Sequence, residues 1–268
     1  MLRLTRISTS QIPLEAPSIV PDRLTRLRVV EIERLPVQHG SRTEKLAEHF
    51  RVTGDAIDSH VLMDGDCSRV KWLGAGMTAG HLHIESSAGM HAGSRMASGT
   101  LEVAGSADDW LGVEMSGGLI HVHGAAGDHA GAAYEGSQRG MTGGVILVDG
   151  ECGLGTGAVM RRGLSATAGC GDFAAASMIA GSLFVFGRLG RFAGAEMKRG
   201  TIAVFGSEPE LLPTFRKACQ FDPTFLRVFL RRLVELGFGP AHGIEVRDVQ
   251  RFCGDLVSHG QGEILIQK

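Results

Sequence analysis

The 268-residue sequence has no run of about 18 apolar residues, so no membrane-spanning helix is expected. It has no strong charge of one sign: 29 acidic residues face 27 basic ones, for a formal net charge of −2. That near-balance argues against a partner held by bulk charge, whether nucleic acid or an anionic membrane. The five cysteines, at 67, 152, 170, 219 and 253, form no CxxC pair and are odd in number. The first 22 residues are polar, carry Pro13, Pro17 and Pro21, and contain no apolar signal core. Reduced thiols and a cytoplasmic location are the resulting expectations. Lysine is scarce, occurring only at 45, 71, 198, 217 and 268, so arginine carries most of the positive charge.

Glycine is abundant: 39 residues, 30 of them between Gly74 and Gly206, with no Gly-X-Y period that would indicate collagen. The glycines mark a repeat. The frame G-x-L-x-V-x-G recurs as GHLHIES from Gly80, GTLEVAG from Gly99, GLIHVHG from Gly118 and GVILVDG from Gly144. It continues from Gly163, Gly181 and Gly200, and an earlier copy, SHVLMDG, starts at Ser59. Successive starts are 21, 19, 19, 26, 19, 18 and 19 residues apart.

Each frame alternates with period 2, the pattern of a strand with one buried face. The expected inward pairs run from Val61/Met63 and Leu82/Ile84 through Leu101/Val103, Ile120/Val122 and Ile146/Val148 to Leu183/Val185 and Ile202/Val204. Sixteen positions after each start comes a methionine, with Tyr134 filling that slot in the 26-residue repeat. Eleven positions after each start stand Trp72, His91, Trp110, His129, Gly155, Phe173 and Phe192, and two positions later a small residue. A unit this short cannot bury its own apolar face and must stack on its neighbours. The solution is a parallel β-helix of about 19 residues per coil, with like side chains laddered at roughly 4.8 Å.

Residues 1–58 lack this pattern and are expected to form an N-terminal cap, with a short strand at LPVQHG and a helical piece at EKLAEHFRVTG. Residues 59–206 form the repeat domain, and 207–268 a C-terminal helical segment with a final strand at GEILIQK. Ser207–Glu210 has the composition of a helix start, and Phe225, Phe229 and Leu233 predict an amphipathic helix over 224–236. Phe184, Phe186 and Phe205 occupy outward strand positions, so something must cover them: the C-terminal segment, a subunit interface, or each at a different edge.

No nucleophile–base pair is legible; GxSxG and HExxH are absent. Gly153-x-Gly155-x-x-Ala158 fits a dinucleotide loop only superficially, because no helix follows. His83, Glu102 and His121 fall at equivalent positions of successive repeats and predict an outward imidazole–carboxylate–imidazole row. A flat row does not supply the convergence a metal needs, so no metal ligand is assigned. Arg161-Arg162 and Lys198-Arg199 follow the methionine slot at one corner of their repeats, and Arg139 lies in the long one. Stacking would line these five cations along one edge, suited to a polyanion or acidic partner.

The stretches GDCSRVKWLGAGMTAGHLHIESSAGMHAG, GLIHVHGAAGDHAGAAYEGSQRGMTGG and GRFAGAEMKRGTIAVFG resemble the C subunit of formylmethanofuran dehydrogenase, over roughly residues 30–206. A more remote resemblance is to the glycine-repeat domain of glutamate synthase. The resemblance implies a right-handed parallel β-helix within a multisubunit one-carbon complex that works on methanofuran, a formyl carrier with a glutamate-bearing tail. In methanogens that complex is a tungsten or molybdenum dehydrogenase. In aerobic methylotrophs it is a formyltransferase/hydrolase that takes formyl from tetrahydromethanopterin and releases formate during formaldehyde oxidation; the arginine bias favours this bacterial type. The resemblance places metal and catalysis on an amidohydrolase-like A subunit, with a B subunit and a formyltransferase D subunit beside it. The repeat from Gly163 departs from the family pattern, with Ser165 and Thr167 at inward positions and Ala174–Ala176 where glycine is usual.

The expectation is therefore a non-catalytic scaffold subunit, with Arg139, Arg161, Arg162, Lys198 and Arg199 as cofactor-binding residues for the carrier's anionic tail. The alternative is a stand-alone β-helix acyltransferase using His121 or His123 as base. Such proteins keep coil lengths in multiples of six, which intervals of 19 do not.

Overall fold

The computed structural model describes residues 1–267. The fold is mostly β, dominated by a 13-stranded sheet. At its centre the strands His60–Asp64, His81–Ile84, Thr100–Val103, Leu119–Val122, Val145–Cys152, Leu164–Cys170, Ser182–Val185 and Arg199–Val204 each pair in parallel with the next. The register is flush: Leu82 faces Leu101, and Ile120 faces both Leu101 and Ile146. A second line of parallel contacts joins Cys67, Ala88, Ala107, Ala126 and Cys152 in succession. A third runs through the loops, where the Trp72, His91 and Trp110 N–H groups donate to Met90, Asp109 and Asp128 of the following repeat. Each repeat is thus bonded to the next at three separate stretches of backbone.

Burial follows the alternation. All seven expected inward pairs are buried, and Ser165 and Thr167 occupy the same positions in their strand. Thr167 Oγ1 satisfies its polarity by donating to the carbonyls of Gly150 and Gly169, 3.0 and 2.8 Å away. The methionine ladder is also fully buried, but the long repeat fills it with Met141, not Tyr134. The seven extra residues precede the slot instead of following it, so Tyr134 lies outside the ladder, half-buried beside Trp110 and His91.

The methionines explain the glycines that open the repeats from Gly99 onward. Gly118 has φ of +88°, and a Cβ there would lie 2.7 Å from the Met96 methyl and 2.9 Å from the Gly99 carbonyl oxygen. Gly118→Ala should therefore cost about 3 kcal/mol, combining left-handed strain with overpacking against rigid backbone. Chemical denaturation would measure it, and a loss below about 1 kcal/mol would contradict this close stacking.

The aromatic slot is held in the left-handed region throughout, with φ of 67° at Trp72, 65° at His91 and Trp110, and 62° at His129. Each non-glycine residue there carries strain of about 1 kcal/mol, offset by stacking. Trp72 lies on His91 with centroids 4.1 Å apart, Trp110 on His129 at 4.4 Å, and Phe173 on Phe192 at 4.9 Å. Gly155 interrupts the series because a Cβ would meet the His129 ring at 2.6 Å.

The flanks extend the sheet at both ends. Leu2–Arg6 pairs in parallel with His60–Asp64 and carries antiparallel Phe50–Gly54 on its outer side. The expected helical piece at 44–54 is a single 3-10 turn, Leu46–Glu48, followed by that strand. At the other end Gln261–Gln267 adds in parallel to Arg199–Val204, followed by antiparallel Val249–Gly254 and Arg216–Phe221. The helix expected to start at Ser207 is absent: residues 207–212 are irregular. Pro209 and Pro213 disfavour helical backbone at the residues before them. The amphipathic helix forms over Thr224–Glu235 and buries Leu226, Leu230 and Leu233. These cover Phe184, which is fully buried, and Phe229 meets it edge-on at 5.4 Å. Phe186 and Phe205 stay half-buried at the margin of this layer. No helix among the described residues is long and apolar enough to cross a membrane.

Candidate functional site: a cationic groove along one edge of the stack

The corner that follows the methionine ladder is built by direct backbone stacking. Arg161 N–H donates to the Met141 carbonyl at 2.8 Å, Ile179 N–H to that of Met160 at 2.8 Å, and Lys198 N–H to that of Met178 at 2.7 Å. The layers alternate: Arg161-Arg162, then Ile179-Ala180, then Lys198-Arg199. Two strand spacings, about 10 Å, separate the charged layers. Between them Ile179 and Ala180 form a low apolar floor.

All five cations expected from the sequence line this one groove of about 570 Å³, with Thr142 and His259 completing its walls. Arg139 enters from the excess of the long repeat. His259 comes from the loop before the final strand, and nothing in the sequence places that loop here. An adjoining groove of about 470 Å³ shares Arg161, Ile179 and Lys198 and continues towards Val257 and Ser258. Its wall carries one carboxylate, Glu196, which accepts a hydrogen bond from Ser177 Oγ at 3.0 Å.

The charge in the groove is uncompensated. Nearby Arg191 pairs with Glu210, and Arg251 with Glu263. Among the described residues, none of the five groove cations makes an ion pair. Arg199 Nε donates to Gln261 Oε1 at 2.9 Å. Arg161 Nε is buried with no acceptor among the described residues. A buried, unpartnered guanidinium N–H is costly and rare. What the groove can do chemically is hold an extended polyanion over two repeats.

The histidine row differs from its sequence reading. Strand register sets Glu102 beside both His83 and His121, as expected. Yet Glu102 bridges His83 Nδ1 at 3.1 Å and His123 Nε2 at 3.0 Å. His121 turns to Asp149 under the C-terminal segment and is buried. Sequence reasoning misses Asp149, which like His123 stands five positions after its repeat start, because it follows the outward row only through the positions of His83, Glu102 and His121. Donating hydrogen bonds to the Glu102 and Asp149 carboxylates raises His123 above the usual imidazole range. Both histidines are thus engaged with carboxylates rather than presented as a free base, which disfavours the acyltransferase alternative.

The stacked His91 is different. Burial, with Lys71 adding repulsion, holds it below the usual imidazole range. A depressed histidine contributes stability above its unfolded value of about 6.5, and that stability is lost as pH falls through the folded value. Proton NMR of His91 should give a midpoint below about 6.5; a midpoint above it would contradict the stacked, neutral ring. Cys152 and Cys170 lie opposite each other in paired strands. Burial pushes the Cys152 thiol up to about 11 and Cys170 well above its ordinary value, so both are neutral and unreactive.

Comparison with known proteins agrees with this architecture. A family model for the GXGXG motif matches residues 43–219. The chain belongs to the GXGXG-motif family. Within it, the chain is 36% identical over 94 residues to the C subunit of the tungsten-containing formylmethanofuran dehydrogenase 2 of Methanothermobacter thermautotrophicus, covering 34% of this chain and 35% of that protein. It is 42% identical over 84 residues to the C subunit of the molybdenum-containing formylmethanofuran dehydrogenase 1 of Methanosarcina barkeri, covering 30% of this chain and 28% of that one. In these matches the chain spans about a third of its relatives' length. A chain of the formyltransferase/hydrolase complex (FhcABCD) from Methylorubrum extorquens, crystallised with methylofuran, superposes with a TM-score of 0.90. That chain is 32% identical, and the match covers 99% of both.

Proposed function

We propose that this GXGXG-family member is the non-catalytic C-type subunit of a formyltransferase/hydrolase complex. The complex would transfer formyl between tetrahydromethanopterin and a methanofuran-type carrier, and release formate. In this reading residues 59–206 are a right-handed parallel β-helix, capped by 1–58 and closed by 207–268. The rod holds an amidohydrolase-like A subunit, a B subunit and a formyltransferase D subunit in register, and the metal resides on a partner. Arg139, Arg161, Arg162, Lys198 and Arg199 hold the polyglutamate tail of the carrier, leaving its amine end free to move.

The observation that carries this reading is the groove: five unpaired cations at the rim of an apolar floor, in a chain alike over its full length to one from a complex that binds methylofuran. An extended oligoglutamate matches the groove in charge, and the roughly 10 Å between charged layers is about three residues of extended chain. The neutral thiols and carboxylate-bound histidines supply no nucleophile–base pair among the described residues. The isolated chain should accordingly show no formyl transfer or acyl transfer in vitro, while still binding an oligoglutamate peptide. Full turnover by the chain alone would overturn the assignment.

A further inference from the structure

A second constellation lies on the outer face of the large sheet. His121 and His123 stand two residues apart and so project from the same face, and Asp149 lies on the adjacent parallel strand. His121 Nε2 is 3.2 Å from each Asp149 carboxylate oxygen, and His123 Nδ1 is 2.9 Å from Oδ2. One ligand atom from each of the three side chains lies within 4.8 Å of the other two. Separations near 3.3 Å are the edges of a tetrahedron whose metal–ligand bonds are about 2.0–2.1 Å.

Two further features fit an ion. His123 turns its other nitrogen, Nε2, to Glu102 Oε1 at 3.0 Å. This is the carboxylate–histidine arrangement that fixes the ring and strengthens a metal-bound imidazole. One side is closed and the other open: His121 is buried and Gly239 N–H donates to Asp149 Oδ1 at 3.3 Å, whereas His123 is half-exposed and leaves room for water.

The His39–Glu44–His49 cluster near the N-terminal end lacks this support. There His49 Nδ1 is buried without a partner among the described residues. Coordination through Nε2 would force a proton onto Nδ1 with nothing to accept it. That cluster is a plain hydrogen-bonded set, with one Glu44 oxygen shared by both rings at 3.1 and 2.8 Å.

We propose that His121, His123 and Asp149 form a binding site for a divalent cation of borderline softness, Zn²⁺ in the first place, with Glu102 as the outer carboxylate and water completing the shell. Two imidazoles and one carboxylate suit Zn²⁺, and the absence of thiolate disfavours Cu⁺. The ion would tie adjacent repeats together beneath the C-terminal turn at Gly237–Gly239.

The test uses the full-length chain, stripped with chelator and dialysed against Zn²⁺, with bound metal measured by elemental analysis. Co²⁺ serves as a spectroscopic substitute, because its visible bands report coordination number and donor set. One saturable equivalent per chain is expected, with low-symmetry Co²⁺ bands lacking thiolate charge transfer and a higher thermal midpoint when metal is bound. Asp149→Asn or His123→Gln should abolish the equivalent, and Glu102→Gln should weaken it about 10- to 100-fold. Glu102 is partly exposed, so that variant keeps the test valid should a ligand variant fold poorly. His39→Gln should leave binding unchanged. Absence of saturable binding, or binding that survives Asp149→Asn and Glu102→Gln, overturns the proposal and leaves the residues as a hydrogen-bonded imidazolium between two carboxylates.

Discussion

Phe184→Ala should release the C-terminal helix from the sheet. Phe184 is fully buried on the outer face and is packed among Leu226, Leu230 and Leu233, with Phe229 and Phe205 edge-on at 5.4 and 5.7 Å. Truncating such a ring costs about 3–5 kcal/mol, the sum of lost burial and the cavity left behind. The effect falls on the helix because Thr224–Glu235, at 12 residues, is too short to persist alone in water. The methionine ladder and inward pairs lie on the opposite face and keep their contacts. Amide hydrogen exchange over 224–235 should accelerate by at least about 100-fold, while the strand amides of 100–148 stay protected. Phe184→Leu should retain most of the protection, because volume is nearly conserved. Unchanged exchange in Phe184→Ala would show that this ring does not anchor the helix.

The second large effect concerns the groove. In the double variant Arg161→Glu with Lys198→Glu, two attractions become two repulsions, and the unpaired Arg161 guanidinium is itself lost. Solvent-exposed pairs contribute about 0.2–1 kcal/mol each, so reversal of both should cost about 2 kcal/mol, near 30-fold in affinity. The readout is retention of a glutamate-tailed carrier by the purified complex, with fluorescence anisotropy of a labelled oligoglutamate as a second measure. Binding should also weaken as salt rises, since these charges face solvent. Undiminished retention by an intact double-variant complex would remove the groove from carrier binding.

Much of the molecule is readable from the sequence, because stacking makes one position's constraint recur. The inward pairs announce the core by alternation, and the small residue after the aromatic slot announces its left-handed backbone: Gly74, Gly93 and Gly112 have φ of 69°, 64° and 59°. Arg161, Arg162, Lys198 and Arg199 converge because flush register converts equal repeat positions into spatial neighbours, and Arg139 joins them from the excess of the long repeat. Equal position fails where spacing is broken. Counting alone puts Tyr134 in the methionine slot, since the sequence does not show on which side of it seven extra residues fall. The pairing of Glu102 with His123 depends on the burial of His121 beneath residues 237–239, a contact between segments more than a hundred residues apart. The antiparallel strands at both ends follow from the need to pair exposed sheet edges, but no local pattern announces which segment returns to do so.

The central claim is that this chain works as a scaffold within an assembly. Its most direct test is affinity isolation of the native protein under mild conditions, with the co-purifying chains and small molecules identified by mass spectrometry. The account predicts near-stoichiometric amidohydrolase-like and formyltransferase subunits together with a glutamate-tailed furan. Recovery of the chain alone, with neither partner nor carrier, would contradict it.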